Sequence, residues 1–181
     1  MMRCQASTMW FTLVKDERKR TIRLAKWLYI LGVSLCFPAF AEVDLVKVDK
    51  SKRRMYLIDN NQVVKEFRIA LGKRPKGHKI HEGDQRTPEG RYYLDFIIED
   101  SEFHRSIHIS YPNAKDIAYA SSLSLDPGGN IKIHGLKNGE TRPANYVQSF
   151  DWTDGCIAIS NQEMDELLKL VTPGTPIEIS W

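Results

Sequence analysis

Cysteine is scarce in this chain, with three among 181 residues. Cys4 and Cys36 fall in an N-terminal stretch that reads as an export signal. Beyond it Cys156 stands alone, which excludes an internal disulfide and leaves this thiol for other chemistry. Long apolar runs are missing as well. Trp27 to Phe37 is uncharged but shorter than the roughly 20 apolar residues of a permanent membrane-spanning helix. Neither sign of charge dominates: the formal net charge is +3, and acidic and basic residues are interspersed. The basic clusters Lys50–Arg54 and Lys73–Lys76 form no stripe and no nucleic-acid motif, so nucleic acid is not an expected partner. A solvated surface with some attraction to anionic envelope polymers is the simpler reading. No internal repeat and no low-complexity tract is visible.

What is present begins with a targeting pattern. Arg18, Lys19, Arg20, Arg23 and Lys26 precede the apolar run, and Ala39-Phe40-Ala41 supplies a small-x-small cleavage site before Glu42. Residues 1–41 are therefore expected to be a signal peptide or, uncleaved, an N-terminal anchor, with Met9 an alternative start. Any membrane association would come through this segment alone. Cys36 follows Leu35 rather than a small residue, which argues against a lipoprotein site. Residues 42–181 are the length of one domain with one core, destined for the periplasm or cell envelope.

That domain reads as mainly β. Val43–Asp49, Arg53–Asp59 and Val63–Leu71 alternate and are rich in β-branched residues, with Asn60-Asn61 suited to a tight hairpin turn. Residues 72–86 are polar and glycine-punctuated and predict a long loop. Arg91–Ile98 and Ser106–Ser110 are further strands, and Ala114–Ser122 is a candidate short helix. Asp126-Pro127-Gly128-Gly129 is a turn, and Ile131–His134 is a strand that delivers His134 to its end. Cys156–Ser160 predicts a strand, and Ser160 with Glu163 forms a capping box. Met164, Leu167, Leu168 and Val171 then recur at helical spacing over Asn161–Val171. Thr175–Ser180 closes the chain as a strand.

The chemistry centres on Thr153-Asp154-Gly155-Cys156-Ile157. A free thiol is only a few per cent thiolate at neutral pH, so a nucleophilic Cys156 needs a nearby imidazole. His134, at a strand end and followed by Gly135, is the candidate base; alone it reads more readily as a satisfied core histidine, and the cysteine motif reverses that preference. Gly155 permits a sharp turn and leaves the thiol unshielded. The N–H groups of Gly155 and Cys156 could serve a developing oxyanion, at about 3 kcal/mol per donor. Thr153 either orients His134 or braces the turn. His108, opposite in alternation to Ile107 and Ile109, faces either the cleft or solvent. His78, His81, His104 and His108 raise zinc as an alternative, but no companion cysteine or carboxylate cluster accompanies them. Tyr111, Trp152 and Arg142 either line a substrate groove or, for the aromatic pair, belong to the core.

Together these motifs resemble the L,D-transpeptidase catalytic domain (YkuD-like) family. His134-Gly135 followed by Thr153-Asp154-Gly155-Cys156-Ile157 is similar to its His-Gly and Ser/Thr-x-Gly-Cys-aliphatic signatures. Thr87-Pro88-Glu89-Gly90-Arg91-Tyr92 resembles its Thr-Pro-x-Gly-aromatic segment. The segments Ile107–Asn113, Pro127–Gly129 and Asp151–Thr153 look like the YafK-like subgroup, and the likeness runs from about Val43 to Ile179. The resemblance implies a β-sandwich-like fold with a few short helices, Cys156 as nucleophile and His134 as base. It implies peptidoglycan stem peptides as acyl donors, expulsion of D-alanine, a thioester, and no metal or organic cofactor. An amine acceptor gives a cross-link or an attached protein, and water gives cleavage. The subgroup adds an envelope lipoprotein as a possible partner and hydrolysis as an alternative outcome. A silent wall-binding module is the reading from another class. Two departures stand out: Asp154 replaces a common His, and Ala158 replaces a common Arg. The interval Gly135–Trp152 is long and predicts a lid carrying Lys137, Arg142, Tyr146 and Trp152 over the site.

Overall fold

The computed structural model describes residues 43–181, so the export-signal reading of residues 1–41 lies outside the described residues. The first three strands form a meander. β1 (Leu45–Asp49) and β2 (Arg54–Asp59) pair antiparallel, and β2 pairs β3 (Gln62–Arg68). Asn60 and Asn61 join β2 to β3 with positive φ of 48° and 61°, the conformation the Asn-Asn pair favours in a tight hairpin. Alternation then decides the buried face: Val46, Val48, Met55, Leu57 and Phe67 enter the core.

Among the described residues eight strands lie in the order β3-β2-β1, then Pro176–Ser180, Gly90–Ser101, His104–Ile109, Lys132–His134 and Ile157–Ala158. β8 (Pro176–Ser180) lies parallel to β1 and antiparallel to the start of β4 (Gly90–Ser101). β4 belongs to two ladders. Its first residues pair β8, and its residues from Leu94 on pair β5 (His104–Ile109), with register shifts between Leu94 and Ile97 and between Ile98 and Ser101. Such bulges bend a strand and let one element serve two ladders. β5 pairs β6 (Lys132–His134), and β6 pairs the two-residue β7 (Ile157–Ala158) in parallel. One apolar core joins the ladders, from Val46 and Leu57 to Ile107, Ile133 and Ile157. The architecture is the mainly β fold expected from the sequence, with few short helices.

Among the described residues three helices complete it: α1 (Ala114–Ser122), α2 (Ala144–Val147) and α3 (Asn161–Leu170). α3 starts as its local sequence dictates. The Glu163 N–H donates to Ser160 Oγ at 3.2 Å, and the Ser160 N–H donates to Glu163 Oε2 at 2.9 Å. Met164 and Leu167 then face the core. The short α2 lies where the sequence predicted only a lid. Ladder pairing also stops earlier than the alternation suggests: β3 ends at Arg68, although Ala70 still bridges Ala158.

Candidate active site

The register of β6 and β7 brings the sequence candidates together. Ile133 is opposite Ile157 and His134 is opposite Ala158. Side chains alternate along strands, so Lys132, His134 and Ala158 project from one face, away from the core face of Ile133 and Ile157. Cys156 continues that alternation one residue before β7. Cys156 and His134 both line a cleft of about 550 Å³.

Gly155 sets the entry to Cys156. Its φ is +139°, and a Cβ there would stand 2.8 Å from the Arg86 carbonyl oxygen, so only glycine fits. Thr153 braces the same turn: its hydroxyl donates to the Cys156 carbonyl at 2.7 Å and accepts from the Gly155 N–H at 3.2 Å. Thr153 therefore holds the loop and makes no bond to His134. The Gly155 N–H is also spoken for, contrary to the expected pair of free oxyanion donors. The Cys156 N–H has no protein acceptor among the described residues.

His134 is only 4% exposed. Its Nδ1 lies 2.7 Å from the Gly135 carbonyl oxygen. A carbonyl only accepts, so Nδ1 carries the proton and Nε2 keeps its lone pair in the neutral ring. Phe103 and Trp152 pack on the imidazole, with ring centroids at 4.6 Å and 5.7 Å. Burial pushes its pKa down to about 4, the Gly135 carbonyl acting in the opposite direction and Lys132 adding a smaller downward push.

The half-buried Cys156 carries a thiol whose pKa is raised, chiefly by burial. The Lys132 backbone N–H hydrogen-bonds the sulfur and works against that shift, as does the Lys132 charge. The Sγ lies 3.8 Å from the Asn130 carbonyl oxygen, within reach of a weak S–H donation. The two shifts favour the neutral form of each partner, a thiol and an unprotonated imidazole lining one cleft. Asp154 lines the cleft, yet its carboxylate accepts from Lys73 Nζ at 2.9 Å and is 76% exposed. The paired lysine blunts its repulsion of a thiolate.

Other expected groove residues lie elsewhere. Tyr111 is buried, donates to the Pro127 carbonyl at 3.0 Å and packs against Tyr92, so it belongs to the core. His108 shares the sheet face of His134 but is held by Asp95 at 2.7 Å and stacks on Phe96, outside the cleft lining. Arg142 pairs with Glu140 and lies over exposed Tyr146, and neither Arg142 nor Tyr146 lines the cleft. The predicted lid is a strap instead. Asp151 is gripped by Arg53 at 2.7 Å, and Gln148 donates to the Arg68 carbonyl and to Glu163. Of that segment, His134's neighbour Trp152 alone reaches the cleft lining.

The far wall was missed from sequence. It is the β4–β5 hairpin, contributing Ile98, Asp100, Ser101, Glu102 and Phe103. Asn138 pins this hairpin through the His104 N–H and the Ser101 carbonyl, and His104 and Arg105 both reach Asp165 of α3. Lys132 and Asn130 were missed as well. The alternation Ile131-Lys132-Ile133-His134 did contain a signal for Lys132, because it puts Lys132 on the His134 face.

Comparison with known proteins bears on the family and the fold. Residues 44–179 match the family YkuD, described as the L,D-transpeptidase catalytic domain. YafK of Escherichia coli K12, named as a candidate L,D-transpeptidase, is 27% identical over 133 residues, which cover 70% of this chain and 46% of YafK. The helical cell shape determining protein Pgp2 of Campylobacter jejuni superposes with a TM-score of 0.59 at 25% identity, over 76% of this chain and 47% of Pgp2. An Enterococcus faecium L,D-transpeptidase shares the fold at a TM-score of 0.52 and 18% identity, over 77% of this chain and 50% of that one. The chain thus spans about half the length of these relatives.

Proposed function

We propose that this chain, which belongs to the L,D-transpeptidase catalytic domain family, acts on peptidoglycan stem peptides through a thioester at Cys156. One observation carries the reading: Cys156 and His134 line one cleft, and the Gly135 carbonyl leaves His134 Nε2 free to accept a proton. The substrate carbonyl, that of the third stem residue, meets the sulfur. His134 Nε2 takes the thiol proton as the C–S bond forms. Because both groups rest neutral, proton transfer accompanies attack instead of preceding it. The Lys132 N–H and charge favour the developing thiolate. The Cys156 N–H is the donor available to the oxyanion, worth about 3 kcal/mol where geometry is good. Collapse of the tetrahedral intermediate expels D-alanine, whose amine takes the proton back from His134. An amine acceptor or water then resolves the thioester.

A second outcome, hydrolysis, is favoured by the strap. Residues 135–151 fasten to Arg53, Arg68 and Glu163 and leave the half-buried sulfur open to water. Export of residues 42–181, with 1–41 as signal or anchor, belongs to the same proposal, as does an envelope lipoprotein as a further substrate.

The test is purified protein incubated with stem tetrapeptide alone, with an added diamino acceptor, and with a lipoprotein-linked muropeptide. Release of D-alanine with a dimer marks transpeptidation, and release with a tripeptide marks hydrolysis. A mass increase with a carbapenem that vanishes in Cys156→Ala supports the thiol as the acylated group. A folded sample that gives no product and no adduct would point to a silent wall-binding module.

A further inference from the structure

The ion pairs around the cleft leave three charges over. Lys73 meets Asp154, Lys79 meets Asp84, Lys50 meets Glu89, and Arg105 meets Glu99. Lys132, Asp100 and Glu102 line the cleft without an ion-pair partner among the described residues. They are also fixed on opposite walls. Lys132 stands on the strand floor, on the face of Cys156 and His134, while Asp100 and Glu102 sit on the hairpin pinned by Asn138. The Asn138 N–H donates to the Glu102 carbonyl at 2.9 Å, so the hairpin is held there by its backbone.

Lys132 is a half-buried residue whose ammonium has no ion-pair partner among the described residues, and it lines the cleft on the face of Cys156 and His134. Its charge also disfavours protonated His134, the form that must appear when the thiol is deprotonated. A packing role does not require that charge. A ligand carboxylate close to the sulfur would satisfy it, and the two hairpin carboxylates would repel the same group from the other wall.

We infer that Lys132 is a specificity-determining residue that binds a carboxylate of the acyl-donor peptide beside Cys156, with Asp100 and Glu102 orienting the peptide by repulsion. The inference rests on the acyl-transfer reading above and names which residue discriminates within it. Two carboxylates of a stem tetrapeptide qualify: one on the side chain of the third residue and one at the terminal D-alanine. Their chemistry is shared, and separate substrates distinguish them.

Three synthetic tetrapeptides serve as probes: both carboxylates free, the third-residue side chain as carboxamide, and the terminal carboxyl as carboxamide. For the unmodified protein one carboxamide lowers kcat/KM by about 10-fold, the size of a charged hydrogen bond, mainly through KM. In Lys132→Met that preference shrinks below about 2-fold on the same scale, and Lys132→Arg keeps it. Because any tuning of the thiol by Lys132 affects all three peptides alike, the ratio isolates the charge contact. Thermal unfolding checks each variant, and Lys132→Gln replaces Met if that side chain does not fold. Equal rates on all three peptides, or a preference that survives in Lys132→Met and Lys132→Gln, overturns this inference alone. No turnover of any peptide by the unmodified protein overturns the acyl-transfer reading and this inference with it.

Discussion

Two cross-strand rows show how one alternation can serve different ends. In the first ladder, Glu66, Tyr56, Lys47, Glu178 and Arg91 stand opposite one another on the face turned from the core. They are exposed or half-buried, and their charges meet across strands, as in the Arg91–Glu178 pair. In the second ladder, the corresponding face carries Ser106, His134 and Ala158 in one row. All three are buried, with Phe103 and Trp152 covering the imidazole. A polar row facing water is ordinary sheet surface. A polar row re-covered by aromatic rings is a place where protonation states are shifted, as His134 shows. Two buried groups there, Ser106 Oγ and Trp152 Nε1, have no hydrogen-bond partner, a tension absent from the first row.

The sharpest way to break this contrast is to remove the imidazole. His134→Ala is expected to keep the fold and lose about 100-fold or more in turnover, because the thiol loses its proton acceptor. Near-normal rates would reduce the second row to packing. Next comes the turn. Gly155→Ala forces a Cβ against the Arg86 carbonyl at a φ of +139°, so acylation should fall about 10-fold or more and the melting temperature should drop. Unchanged acylation by mass spectrometry would show that the sulfur does not depend on that geometry.

The pH response separates the rows further. His134 titrates near 6.5 in an unfolded chain and at about 4 when folded. Between those values the unfolded chain binds a proton that the native chain does not, so stability is fully present above about 6.5 and falls as pH drops toward 4. The acid limb of kcat/KM should likewise sit near 4, where the base becomes protonated. A limb at 6.5 would show an exposed imidazole. Asp154→Asn should change turnover less than about 2-fold and leave the profile in place, since Lys73 already screens this exposed carboxylate. A displaced profile would bring its charge to the sulfur. The smallest effect belongs to the first row: Glu66→Gln removes an exposed pair with Arg54 and should barely move the melting temperature.

Local signals were legible in the sequence and long-range placements were not. The Asn60-Asn61 turn, the Ser160–Glu163 capping box and the helix over Asn161–Leu170 depend on residues within a few positions of one another. The shared cleft of His134 and Cys156 was readable only through the family resemblance, since a parallel strand pair leaves no mark in spacing. The hairpin wall stayed hidden because two register shifts in β4 decide where Asp100 to Phe103 arrive. Tyr111 and Arg142 were misplaced for the opposite reason. Their side chains suited a groove, but Pro127 and Glu140 claim them first.

The most direct test is acid-quenched mass spectrometry of the protein mixed with stem tetrapeptide, followed by digestion and mapping. An acyl adduct on the peptide containing Cys156, absent in Cys156→Ala and formed far more slowly in His134→Ala, is the expected result. Release of D-alanine at full rate with the adduct on another residue, or adduct formation in His134→Ala at the unmodified rate, would contradict a thiol and imidazole working as one unit.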